Sequence, residues 1–394
     1  MRRSKQSSTG AAHRLADFFG LKRNLVILLI AIFVIGAGEE LWMRFVPKYL
    51  QAVGATVFVI GLYDALRTLI GAIYAYPGGV LADRWGHRQT FIIFNVVSIV
   101  GYALVLLIPH WSGVIVGMFF FLSWSCFSLP ATFSLVGAAL EANRHSMGIG
   151  VQAVIKRLPI MIAPFFGGML IDRFGIVVGV RVALLISIFL SGLTILVQRQ
   201  WREPPNAAAQ GIAEFSSAAE RWNFWRSLRE LNQPMRRLLL SDILIRFCER
   251  VPYAWVVIFA MDYIGVSAQQ VGILTTIEML AAILCIIPAS HYADQHRREP
   301  FVIVTFIAFV IRGLKEFGDT SRKALIIGYS DSDRRGQMIG SYYLVRDLIV
   351  SAGAILGAYL WKLGPALNFL GAAALGIAGT IFYVKTVRRN RDQP

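Results

Sequence analysis

Charged side chains recur inside the apolar stretches of this chain, where charge is costly. Nine lysines or arginines fall there: Arg44, Arg67, Lys156, Arg157, Arg246, Arg250, Arg312, Lys315 and Arg346. Glu39, Glu40, Asp64, Asp242, Glu249, Glu278 and Asp347 share the same stretches. An ionised group at the bilayer centre costs about 2.5–3.5 kcal/mol on insertion scales, so each one implies a partner, a solute or a water-lined path. Several spacings supply partners on one helix face: Glu40 and Arg44 at i,i+4, Asp64 and Arg67 at i,i+3, and Asp242, Arg246 and Arg250 as an i,i+4 series with Glu249 beside it. Glu39 is the exception. Successive helical side chains point about 100° apart, so a Glu40 turned toward Arg44 leaves Glu39 facing elsewhere, with no base three or four residues away. Burial disfavours the charged form of a carboxyl group, which makes Glu39 the leading candidate for a carboxylate that exchanges a proton or touches a solute. Lys156 and Arg157 are candidates for binding an anionic solute or for neutralising Glu39.

The chemistry so implied is binding and proton exchange. No metal-ligand spacing, nucleophile arrangement or phosphate-binding glycine loop accompanies it, so the reading contains no enzyme, no metal and no cofactor. The six histidines, His13, His87, His110, His145, His291 and His296, mostly flank the apolar stretches and read as loop residues. Trp42, Trp124 and Tyr253 are candidates for lining a pocket, with interface anchoring the favoured alternative for aromatics at segment ends.

The elements that must hold these residues follow from composition. Of 394 residues, 56% are apolar and 16% charged, against a usual charged share of about 25%. With a mean hydropathy of +0.59, most of the chain has lipid as its solvent. Apolar stretches fall near residues 24–46, 56–77, 90–108, 112–140, 147–171, 180–198, 238–261, 270–289, 301–327, 337–361 and 364–384. The fold class is therefore an all-α polytopic membrane protein. The first stretch contains Glu39, Glu40 and Arg44 and no small-residue cleavage site, so it reads as a retained span. Cys126, Cys248 and Cys285 all lie in apolar stretches and imply no disulfide framework.

The formal charge of +16 would suggest nucleic acid in a soluble chain, but its placement suggests orientation instead. If spans alternate from an inner N-terminus, 26 of the 39 lysines and arginines fall on inner loops and tails, and only Lys48, Arg173, Arg181 and Lys362 on outer ones. That asymmetry places both termini in the cytoplasm and leaves no nucleic-acid surface. The polar interval 199–237, with Pro204 and Pro205, reads as a cytoplasmic linker between residues 1–198 and 238–394. Within it, residues 220–231 read as an interfacial amphipathic helix.

These two parts repeat each other. Gly54, Gly61, Pro77 and Asp83 recur 211 residues later as Gly265, Gly272, Pro288 and Asp294. Asn143, Gly150, Lys156 and Gly167 correspond at an offset of 190 to Asp333, Gly340, Arg346 and Gly357. Arg67 is likewise matched with Glu278, so both parts are expected to line one central cavity. The expected architecture is two pseudo-symmetric six-helix bundles, the second apparently short by about one helix between Asp294 and Asp333, an interval of 39 residues where the first part uses 60.

The stretch Gly79-Val-Leu-Ala-Asp83-Arg84-Trp-Gly86-His-Arg88 resembles the loop signature of the major facilitator superfamily, with His87 where that family prefers arginine. The resemblance implies alternating access, with Gly79 and Gly86 permitting a tight turn and Asp83, Arg84 and Arg88 forming contacts of an inner gate. A second likeness is to the fifth-segment glycine motif of proton-coupled antiporters. Gly150, Pro164, Gly167 and Gly168 match it, while Pro159 and Ala163 replace two of its glycines. These residues are equally suited to bundle packing and kinking. Residues 118–140 contain no arginine, a departure from the drug antiporters.

The function so implied is secondary active transport of a small solute, proton-coupled and outward, by a monomer in the cell membrane. An uptake symporter of the same fold, or a non-transporting relative, are the alternatives. A cysteine tag at Lys362 is expected to label from outside, and one at the C-terminus only from inside. A tail that labels from outside would mean that the second part crosses the membrane an odd number of times.

Overall fold

The computed structural model describes residues 23–85, 87–139, 145–200, 231, 233–295, 326 and 335–385. Among them are twelve helices and no strand: α1 (Arg23–Met43), α2 (Val46–Ala52), α3 (Val57–Trp85), α4 (His87–Leu107), α5 (Trp111–Ala139), α6 (His145–Phe174), α7 (Ile176–Gln198), α8 (Gln233–Arg250), α9 (Trp255–Asp262), α10 (Ala268–Gln295), α11 (Arg335–Leu363) and α12 (Pro365–Tyr383). The apolar stretches named above become these helices. Residues 201–230 and 232 of the linker, and 296–325 and 327–334 of the shortened interval, lie outside the described residues.

Two single stretches are each broken in two. The first parts at residues 44–45, where Pro47 opens α2, and the seventh at 251–254, where Pro252 stands. Proline has no N–H to donate and its ring crowds the preceding turn, so the helix stops and restarts. In contrast, the gate motif lies in helix rather than in a loop as far as Trp85, because nothing between Gly79 and Trp85 breaks the hydrogen-bond ladder. Gly86 and the side chains of residues 75–87 lie outside what is described, so the gate contacts of Asp83 and Arg84 do too.

Four reversals turn on glycines with positive φ: Gly54 (87°), Gly175 (79°), Gly265 (79°) and Gly364 (152°). Gly54 and Gly265 are repeat mates, and the left-handed conformation they share is one that residues with a Cβ rarely adopt.

Packing follows small residues. Helix α6 lies along α10, and α3 along α11. Gly167 seats against the backbone of Leu41, and its repeat mate Gly357 against that of Val251. Gly61 faces Ala354 and Ala358, while its mate Gly272 faces Pro164 and Phe165. Two contacts thus recur, at offsets of 190 and of 210 to 211 residues, in space as well as in sequence. Pro159 and Pro164 both sit inside α6, and the Thr276 hydroxyl donates to the Met161 carbonyl across the α6–α10 seam at 2.6 Å.

Polarity is inverted relative to a water-soluble domain. Leu107 and Phe189 are 75% and 70% exposed, whereas Asn95, Ser98, Ser187, Ser191 and Thr194 are buried. Apolar groups outside and hydrogen-bonded polar groups inside are the arrangement lipid favours.

One end of the structure is held by ionic contacts. Lys48 of α2 pairs with Asp262 at the end of α9. Asp172, near the end of α6, accepts from the Ala268 and Gln269 amides at 2.9 Å each, capping α10 from another helix.

At Gly167 a side chain has no room. Gly167→Val is expected to destabilise the protein by about 1–3 kcal/mol through overpacking. Gly192, in α7 with open space around it, is the control: Gly192→Ala should be neutral or stabilising by up to about 1 kcal/mol. Thermal unfolding of the detergent-purified variants measures both.

Candidate functional site

The break after α1 carries Arg44 to the centre of the interface, and there the pairings differ from those read along single helices. Arg44 does not pair with Glu40. Its Nη2 donates to Glu278 Oε2 of α10 at 2.6 Å and its Nε to Thr275 Oγ1 at 3.2 Å. Asp64 does not pair with Arg67 either: its Oδ1 accepts from Arg250 Nη1 of α8 at 3.1 Å. The physical reason is competition. An i,i+3 or i,i+4 pair contributes only about 0.2–0.5 kcal/mol, and a charge-assisted bond to a facing helix at a low-dielectric interface is stronger. Two ion pairs therefore cross from α1 to α10 and from α8 to α3.

This exchange leaves Glu40 and Arg67 without an ion pair within 4 Å among the described residues. Glu39 is 8% exposed, and its Oε1 accepts from the Ser125 hydroxyl of α5 at 3.3 Å. The charges of Glu40, Arg67 and Lys156 all act on it. Lys156 is half-buried on α6. Arg157, beside it on α6, is half-buried.

A small cavity opens beside these groups, lined by Met43, Arg44, Tyr63, Asp64, Arg67 and Tyr253 among others. It has room for about one water molecule. The Tyr63 hydroxyl contacts Met43 Sδ at 3.4 Å, and the Arg250 guanidinium lies 5.1 Å from the Tyr253 ring centre. Among the described residues no group of His, Cys, Asp and Glu is arranged to hold a metal ion.

Glu249, Arg346 and Asp347 belong to a second cluster, between α8 and α11. Its centre is Asp242, fully buried, whose Oδ2 accepts from Tyr342 at 3.2 Å and from Arg346 at 3.4 Å. Arg246 bridges Asp242 at 3.7 Å and Glu249 at 2.9 Å, so this part of the in-helix series holds. Arg346 also pairs with Asp347 at 2.7 Å and lies 4.5 Å from the centre of the Tyr343 ring. Arg346, expected to line a common cavity with Lys156, is instead held by Asp242, which has Ile32 at the matching place in the first half.

Of the candidate pocket aromatics only Tyr253 lines the cavity. Trp42 is fully buried edge-on to Phe121 and Tyr102, and Trp124 against Phe91, so both are core residues. Arg88 is exposed at the start of α4. Gly150, Pro159, Pro164, Gly167 and Gly168 all lie on α6, and Gly168 abuts Ala268 at the start of α10. Sequence spacing missed Ser125, Thr275 and Asp172. Only Thr275 left a signal, as the repeat mate of Asp64.

Comparison with known proteins agrees with this architecture. The chain is 19% identical over 404 residues to an uncharacterized MFS-type transporter of Methanocaldococcus jannaschii, an alignment covering 91% of this chain and 93% of that one. A protein described as a multi-drug resistance efflux pump PmrA homolog, from Lactococcus lactis, is 25% identical over 181 residues, which is 43% of this chain and 44% of that one. The crystal structure of the nucleoside transporter NupG superposes with a TM-score of 0.72 at 11% identity, covering 92% of this chain and 99% of that chain. At that identity the likeness concerns the fold alone. The sequence profile of the Major Facilitator Superfamily matches residues 28–261, more than half of the chain, and with these repeated helices and central charges the chain belongs to that superfamily.

Proposed function

We propose that the protein is a secondary active transporter that exports a small solute by alternating access in exchange for protons. The observation that carries this reading is Glu39: a buried carboxyl group whose one hydrogen bond among the described residues comes from a serine hydroxyl, and which is acted on by Arg67 of α3 and Lys156 of α6, the helices that form the seams with α11 and α10. A group so placed changes its surroundings whenever the seams rearrange, which is what coupling a proton to a conformational change requires. The direction rests on the relative described as an efflux pump. The asymmetry of basic residues supports a multi-pass protein of the cell membrane with both termini in the cytoplasm and residues 199–237 as a cytoplasmic linker between two bundles. The protein acts as a monomer, with protons, lipid and a small solute as its partners.

Inside-out vesicles containing the protein, offered fluorescent organic solutes that are cationic, neutral or anionic, test this directly. Accumulation of at least one solute is expected under an imposed proton gradient, with collapse on adding a protonophore. Glu39→Gln should insert normally yet lose gradient-driven accumulation about tenfold or more. Full proton-driven activity in that variant would remove Glu39 from the mechanism, and accumulation by none of the solutes would favour a non-transporting relative.

A further inference from the structure

The repeat makes one vacancy visible at the centre of the interface. The matched contacts of Gly167 with Leu41 and of Gly357 with Val251 set α1 and α8–α9 in register at an offset of 210, and those of Gly61 and Gly272 set α3 and α10 at 211. In this register Arg44 corresponds to Ala254, with Tyr253 beside it, and Glu278 and Thr275 correspond to Arg67 and Asp64. The Arg44 bridge to Glu278 and Thr275 therefore has a mate made of Ala254 facing Arg67 and Asp64. That mate has no bridge. Where Arg44 extends a guanidinium, Ala254 has a methyl group; where Glu278 offers a carboxylate, Arg67 offers a cation. Ala254, Arg67, Asp64 and Tyr253 all line the cavity described above, as does Arg44, so the water-sized space lies beside the position that lacks a long side chain.

The carboxylates whose charge acts on Arg67, Glu40 and Asp64, both lie beyond ion-pair distance of it. It makes no hydrogen bond and no ion pair within 4 Å among the described residues, since Asp64 on its own helix is held by Arg250. The other titratable groups acting on it are Glu40, Tyr63 and Tyr253. A guanidinium in a low-dielectric interface gains most from an oxyanion that meets its planar fork with two parallel bonds.

We propose that Arg67 is the anion-binding residue of the solute site, and that the transported solute carries a carboxylate or phosphate-type group, one oxygen of which enters the water-sized cavity beside Ala254. This rests on the transporter reading and specifies its substrate class: organic anions, including zwitterions with an exposed anionic end.

Equilibrium binding to the full-length protein in nanodiscs of zwitterionic lipid, followed by thermal shift, tests this without any gradient. The probes are benzoate and phenylphosphonate, inorganic phosphate as the free-ion arm, and benzamide and benzylammonium as the neutral and cationic arms. The two organic anions are expected to stabilise the protein, and the neutral and cationic probes to leave it unchanged. Stabilisation by inorganic phosphate alone would overturn the organic-solute assignment. Arg67→Gln should weaken anion binding about tenfold or more, with partial recovery in Arg67→Lys. Ala254→Glu supplies the absent carboxylate from within the chain and should abolish anion binding while Arg67 is intact, which keeps the test open should Arg67→Gln not fold. No preference for anions in the unmodified protein, or unchanged affinity in Arg67→Gln or Ala254→Glu, overturns the proposal. The binding assay uses no gradient and the vesicle assay requires one, so failure of proton coupling and failure of this site are separately visible.

Discussion

Charge placed in a lipid-facing bundle must be neutralised by something within reach, and in this protein the neutralising groups come from across the interface. Arg44 reaches Glu278 and Asp64 reaches Arg250, so these two central ion pairs are also fastenings between segments far apart in the chain. A pair within one helix would survive any rigid movement of that helix. A pair between α1 and α10 does not. Solvating these charges costs energy that depends on conformation, and this makes the centre of the structure responsive to whatever ion or solute enters it.

The helices were largely legible because lipid imposes a coarse demand: about 20 apolar residues, bounded by polar turns. The repeat was legible for a similar reason, since glycines at close helix contacts cannot be replaced without moving backbone, and Gly61, Gly167, Gly272 and Gly357 all proved to be such contacts. The breaks in the first and seventh stretches carried a signal in Pro47 and Pro252 that hydropathy averages away. The gate motif reads as a loop by composition, yet glycines and a single aspartate weaken a helix without ending it, and the helix continues to Trp85.

Partners across the interface were not legible. Spacing arguments see three or four residues ahead, whereas Arg44 and Glu278 are 234 positions apart and Asp64 and Arg250 are 186 apart. Glu39 stood out because it has no base three or four residues away, but the premise that Glu40 turns toward Arg44 does not hold, since Arg44 pairs with Glu278. The hydrogen-bond donor of Glu39, Ser125, lies on α5 in a run of apolar and small residues that gives no hint of contact. Arg346 was matched correctly with Lys156 by the repeat, but equivalence of position did not carry equivalence of environment: Asp242, on the second half alone, captured it.

The cap that Asp172 places on α10 has a mechanical meaning. Its mate at the offset of 190 is Lys362, a cation that cannot accept from backbone amides, and the start of α3 is served instead by its own Thr56, whose hydroxyl lies 3.4 Å from the Val59 nitrogen. The two seams, α6 with α10 and α3 with α11, are therefore alike in shape and unlike in grip. Parting the first breaks two bonds to a carboxylate that parting the second leaves untouched. A motion drawn from the shape alone would be a symmetric pair of jaws. The chemistry describes unequal edges, one latched through a carboxylate on backbone amides and the other through the side-chain pair of Asp64 and Arg250.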